Sequence, residues 1–130
     1  MKLEAFLVSD AATVDDSGKL NILGAFDAVN AKALPIVIPQ LSISLRLRYE
    51  KNEIGTHTIK IKIRSPKNKE LLIADMEFSM SPKKGVDTGS FSLIVGAQNL
   101  TCEEIGYHII EAKLDNEDLG TIGFSVLKVD

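Results

Sequence analysis

The side chains whose types and spacing could do chemistry fall into a few groups. Arg46, Arg48, Lys60, Lys62 and Arg64 recur at every second position in two neighbouring stretches. In an extended chain, side chains two apart share a face. Five cations on one face would make an anion or acidic-partner patch of the kind that neutralises phosphates. No aromatic residue interleaves them, as a single-strand nucleic-acid platform requires. A formal net charge of −3 adds no general attraction to nucleic acid or to an anionic membrane. The plainer expectation is an outer face whose cations meet neighbouring acids.

Asp87-Thr88-Gly89-Ser90 spells the active-site motif of aspartic proteases. Small enzymes of that kind dimerise to juxtapose two such aspartates, one raised in pKa by the other. Here the motif follows Lys83-Lys84-Gly85-Val86 instead of an apolar strand, and the apolar-apolar-Gly element that those enzymes carry far downstream has no convincing match. The expected role is a turn that opens a strand, with peptide hydrolysis as the alternative. Acids gather in two turns: Asp10, Asp15 and Asp16, then Asp115, Glu117 and Asp118. An up-and-down arrangement puts both at one end of a sandwich, where loop oxygens suit calcium. Neither has EF-hand spacing, and aspartate is ordinary at strand ends, so no metal site is expected. His57 and His108 have inward parity, and Cys102 has no evident base, so satisfied core or rim positions are expected for all three. No Gly-rich phosphate loop, nucleophile elbow or HExxH occurs. No cofactor is expected.

The elements that would position these residues are strands. Leu41, Ile43, Leu45, Leu47 and Tyr49 alternate with Ser42, Ser44, Arg46, Arg48 and Glu50. After the turn at 50–55, His57, Ile59, Ile61 and Ile63 alternate with Thr58, Lys60, Lys62 and Arg64. Period-two alternation is the mark of a half-buried strand. Folded as a hairpin, the two runs pair Leu47 with Ile59, Leu45 with Ile61 and Ile43 with Ile63. A slip of one residue would turn that aliphatic wall to water, so the register is strongly specified. Further strands are expected at 2–9, 19–27, 70–80, 88–96, 107–114 and 119–129, with turns between them. If 70–80 pairs with 56–64, Lys60 falls opposite Asp75 and Thr58 opposite Glu77. Thr101-Cys102-Glu103-Glu104-Ile105 has a capping-box pattern closed by Gly106. A single helical turn is expected there, at a corner between sheets.

Residues 28–40 are apolar yet bracketed by Pro35 and Pro39. Proline is excluded from central strands, so the segment reads as a crossover or an edge. Leu34, Ile36, Val37 and Ile38 then either cap the open end of a sandwich or form an exposed interface. At 130 residues, 45% of them hydrophobic, the chain is expected to be a single domain with a core of its own. The single Cys102 allows no internal disulfide. The opening residues lack the apolar run of a secretory leader, and no stretch reaches the ~20 residues of a membrane helix. The cytoplasm is therefore the expected compartment, and the sequon Asn99-Leu100-Thr101 is expected to be idle.

Lys2-Leu3-Glu4-Ala5-Phe6-Leu7 with Asp10-Ala11-Ala12-Thr13-Val14, continued by Gly18-Lys19-Leu20-Asn21-Ile22-Leu23-Gly24-Ala25-Phe26-Asp27, resembles the opening of an uncharacterised bacterial domain-of-unknown-function family. Pro39-Gln40-Leu41, Leu45 to Arg48, the Gly55/His57 pair and the Gly106…Leu114-Asp115…Leu119-Gly120…Phe124 ending are similar to it as well. Asn116 stands where the Gly of an Asp-Gly turn is expected, a place Asn can fill by tolerating positive φ. The resemblance implies a small bacterial β-sandwich without assigned activity, and it carries no catalytic residues. The ending also looks like the last hairpin of immunoglobulin-like sandwiches, without their Trp or paired Cys. The expectation is an all-β, antiparallel, immunoglobulin-like sandwich of seven or eight strands. It acts as a non-enzymatic binding or assembly module whose partner is a protein or a second copy, not nucleic acid or membrane.

Overall fold

The computed structural model describes residues 1–81 and 85–130. Nine strands run in chain order: β1 (Lys2–Val14), β2 (Leu20–Ala25), β3 (Ala28–Ala31), β4 (Ile36–Glu50), β5 (Gly55–Arg64), β6 (Glu70–Met80), β7 (Thr88–Cys102), β8 (Gly106–Leu114) and β9 (Glu117–Lys128). They form a four-stranded sheet, β2-β1-β4-β7, and a five-stranded sheet, β3-β9-β8-β5-β6. Every pairing is antiparallel except β3 with β9. The expected sandwich is there, with one strand more than the upper expectation because the crossover contributes the short β3. Among the described residues no helix is long and apolar enough to cross a membrane.

The inward set from Leu41 to Ile63 is as expected, although Ser42 and Ser44 on the opposite parity of β4 are buried too. Leu41, Ile43, Leu45, Leu47, Ile59, Ile61 and Ile63 are fully buried. The pairing expected for them does not occur. β4 bonds β1 and β7, whereas β5 bonds β6 and β8, so the two strands belong to opposite sheets. The link between them is not a hairpin turn but a 3₁₀ turn, Lys51–Glu53. The Glu50 side chain accepts from the Glu53 amide, and the Glu53 side chain accepts from the Glu50 amide. This turn carries the chain from one sheet to the other, so the two aliphatic rows meet face to face across the core. A hairpin would have laid them side by side. Burial of either row still fixes its parity, because a one-residue slip exposes it.

Other local expectations are met. The β5–β6 register sets Lys60 opposite Asp75 and Thr58 opposite Glu77. The turn between β1 and β2 is an Asx turn in which Asp15 Oδ1 accepts from the Ser17 and Lys19 amides. Asp115 and Asn116 have φ of 49° and 68°, the two-residue loop that needs positive φ at both positions. The helical turn expected at 101–105 is absent. Thr101 and Cys102 complete β7, and Cys102 pairs with Ile36. The segment does carry the chain between sheets, but ladder bonds and the burial of Cys102 outweigh one weakly capped turn.

Candidate functional site

The five cations do not form a patch. Arg46 and Arg48 lie on β4 and Lys60, Lys62 and Arg64 on β5, so they project from opposite outer faces of the sandwich. Each also meets an acid. Glu4 accepts from Arg46 Nε at 3.1 Å and Arg48 Nε at 3.2 Å, and both cations hold its carboxyl below its usual pKa. Lys60 faces Asp75 at 3.8 Å and Lys62 faces Glu70 at 3.3 Å. Arg64 donates to Glu111 at 2.7 Å. Parity along each strand was read correctly. The hairpin that would have united the two sets was not there.

The two acid clusters part in the same way. The Asp15 turn closes the far end of β1, whereas Asp115 bonds at the start of β5, beside the beginning of β1. No three His, Cys, Asp or Glu side chains converge as metal ligands among the described residues. Asp87 is exposed on the bend before β7, and Lys83 and Lys84 of the segment preceding it lie outside the described residues. Thr88 donates to the Tyr49 carbonyl at 2.9 Å. A Cβ at Gly89 would come within 2.5 Å of the Tyr49 hydroxyl. Thr88 and Gly89 therefore seat the start of β7 against Tyr49.

A cluster that sequence reasoning missed surrounds His57. Its Nδ1 lies 2.6 Å from Asp115 Oδ2 and its Nε2 lies 2.6 Å from the Glu53 carbonyl oxygen. Both neighbours are acceptors, so both bonds form only when the imidazole carries two protons. Asp115 is the main cause that raises the His57 pKa above 6.5, and His57 is the main cause that lowers the Asp115 pKa. Asp115 Oδ1 also accepts from the Thr58 amide at 2.9 Å. The Glu53 carboxylate pairs with the Met1 amino group. Little in the local sequence announces this cluster, since Met1, the Glu53–His57 stretch and Asp115 come from three separate places in the chain. A histidine–aspartate pair can serve a general base, but here the second ring nitrogen is tied to a main-chain carbonyl. The arrangement is a clamp joining the 3₁₀ turn, β5 and the β8–β9 loop.

The remaining chemical groups are buried. Cys102 is inaccessible, and burial pushes its thiol pKa up, the reverse of what a nucleophile needs. His108 stacks on Phe124 at 5.1 Å and donates from Nδ1 to the Gly106 carbonyl at 3.0 Å.

The 28–40 segment divides by burial. Ile38 is in the core at 7% exposure, whereas Leu34 and Val37 are exposed at 38% and 47%. Ile36 is half-buried and lines a groove of about 290 Å³ together with Phe26, Val29, Val37, Pro39 and Asp10. The Phe26 amide donates to the Val8 carbonyl at 3.1 Å and its ring packs edge-on against Phe124 at 5.9 Å, fixing one wall. The main-chain ladder of Ile36–Gln40 runs only to β7, because β1 pairs with β4 no further than Ser42, and the Gln40 side chain donates to the Asp10 carbonyl at 3.3 Å. Pro39 is thus tolerated in a strand that is central elsewhere, as an edge position allows. Leu23 at 72%, Val14 at 42% and Leu127 at 45% exposure stand at the same end of the sandwich. The groove is the candidate site, an apolar depression with one acid, Asp10, on its rim.

A sandwich of two mostly antiparallel sheets, with apolar depressions among its surface features, defines the class of protein. Residues 4–127 match the family described as Family of unknown function (DUF6941), and the chain belongs to that family. No curated protein sequence matches it. It is similar in structure to the alkylpurine DNA glycosylase AlkC of Pseudomonas fluorescens, solved bound to DNA containing an abasic site analogue. The TM-score is 0.55 at 11% identity, over 97% of this chain but only 30% of that one. An immunoglobulin-like protein of Pseudomonas aeruginosa is similar at a TM-score of 0.41 and 13% identity, over 96% and 94% of the two chains.

Proposed function

We propose that this chain is a non-enzymatic binding or assembly module of a bacterial cytoplasm, with a protein partner docking in the Phe26–Gln40 groove. One observation carries the reading. The groove is walled by half-buried Phe26, Val29 and Ile36 and by the exposed Val37, whereas all five cations expected to form a patch are paired with acids. A contiguous apolar patch rimmed by polar groups is the usual form of an interface. The fitting partner is a protein segment that offers an apolar side chain to the groove and a donor to Asp10. The occupied Nε2 of His57 and the buried thiol of Cys102 favour binding over catalysis. The cytoplasmic assignment is supported by the sole cysteine, which has no disulfide partner within the chain, and the bacterial one by the resemblance in residues 2–27.

The test begins with a partner captured from the native host, identified, purified and titrated against the pure chain. Val37→Asp should weaken binding at least tenfold, because it puts a charge on the groove wall. Ile73→Asp, on exposed β6, should bind as wild type. Equal binding by Val37→Asp, or loss in Ile73→Asp instead, overturns the reading.

A further inference from the structure

Each sheet ends on two free edges, β2 and β7 in one and β3 and β6 in the other. A free edge presents unpaired main-chain N–H and C=O groups, which proteins ordinarily blunt by brevity, charge or proline. β3 is only four residues long. β6 carries Glu70, Asp75 and Glu77. β2 is uncharged but only six residues long, and Gly24 near its end has φ of 69°. β7 lacks every protection along most of its length. Its fifteen residues hold no charge and no proline. The one irregularity is Asn99, with φ of 54°. Its inner face, Phe91, Leu93, Val95 and Ala97, is half-buried to buried, and the strand bonds β4 alone among the described residues.

We propose that β7 pairs with the β7 of a second copy of this chain, antiparallel, joining two four-stranded sheets into one of eight. Charge argues for a second copy as the occupant. A two-fold axis near Leu93 and Ile94 lays the strand reversed upon itself, and a charged strand would then set like charges across the joint. Here the outer residues Ser90, Ser92, Ile94, Gly96 and Gln98 meet their own uncharged set, and the apolar inner residues meet theirs. Lys69, which lines a depression with Gly96 to Thr101, is held by Glu103; on β7's own sheet the nearest cations among the described residues, Arg46 and Arg48, sit one strand behind the edge, opposite Ser92 and Ser90, and are held by Glu4. Three strand spacings separate them from their counterparts, about 14 Å, which exceeds the ~8 Å screening length at physiological salt. Pairing along Thr88–Gln98 supplies about ten main-chain hydrogen bonds, the number of a stable interface. This surface is separate from the Phe26–Gln40 groove.

Sedimentation of the full chain tests the proposal. The expected mass is twice the 14.2 kDa chain, falling to a monomer on dilution. Ile94→Lys, outward-facing and outside the core, brings two ammonium groups within roughly 5–8 Å across the joint and should raise the dissociation constant at least tenfold, with the melting temperature unchanged at dilutions where both chains are monomeric. Ile94→Cys should cross-link two chains under mild oxidation. Leu23→Lys, on the other uncharged edge, should leave the mass doubled. So should Val37→Asp, which separates failure here from failure of the groove. A wild-type chain monomeric to millimolar concentration, a dimer unaffected by Ile94→Lys, or dissociation by Leu23→Lys overturns the proposal.

Discussion

Replacing His57 with Gln tests whether the clamp described above contributes to stability through a protonated imidazole. Gln offers the amide's donors and one acceptor but no charge. The wild-type ring donates to Asp115 and to the Glu53 carbonyl, both at 2.6 Å. A hydrogen bond between charged groups contributes about 1.5–3 kcal/mol when sheltered. The Asp115 side chain is 48% exposed and that of His57 18%, so solvent screening brings the expectation to about 1 kcal/mol. For a domain of this size that is a melting shift of about 3–5 °C. The pH dependence carries more information than the size. The His57 pKa is raised in the folded state, so its contribution is full below 6.5 and is lost as the pH rises through the higher folded value. The Asp115 pKa is lowered, so its contribution is full above 3.8 and declines as the pH falls through the lower folded value. Chemical denaturation of wild type and His57→Gln from pH 3 to 9 should give a stability difference with a plateau between about pH 4.5 and 6. The difference should decay on both sides. A difference that is flat from pH 5 to 9 refutes the clamp, as does the His57 ring itself titrating below 6.5 in the folded chain.

Three further outcomes are expected. Ile61→Ala should cost about 2–5 kcal/mol, the range for a fully buried aliphatic truncated without collapse, whereas Lys60→Ala, one residue away and half in solvent, should cost under about 0.5 kcal/mol. Urea titration measures both, and near-equal costs would contradict the assigned faces. Ile38→Asp should destabilise the fold by about 3 kcal/mol or more through an unpaired buried carboxylate, while Val37→Asp stays within about 0.5 kcal/mol, which keeps the latter usable in binding tests. Cys102 should resist a thiol reagent in the native chain and react rapidly in denaturant, because its thiol is buried and its pKa raised. Fast native labelling would mean that the end of β7 opens.

Within the alternating strands the sequence alone determined which way the side chains point. Leu45 and Ile61 read as inward and Arg46 and Lys60 as outward from period-two alternation, and every one of those faces is right. The short turns at 15–18 and 115–116 were legible too, because their torsions are set by the Asp, Ser, Gly and Asn within them. Burial of Ile38 beside an exposed Val37 was half legible, since the prolines marked an edge but not its two sides. Only the tertiary structure decided which strands are neighbours. β4 and β5 look like a hairpin locally, yet the 3₁₀ turn at Lys51–Glu53 sends them to opposite sheets. That single turn disperses Arg46, Arg48, Lys60, Lys62 and Arg64 over two faces, and it brings Glu53 to His57 and Asp115. The facing direction of a side chain is a property of two consecutive residues, so it survives in the sequence. Strand partnership is settled by competition among burial and main-chain bonds between distant segments, and no local pattern records who wins.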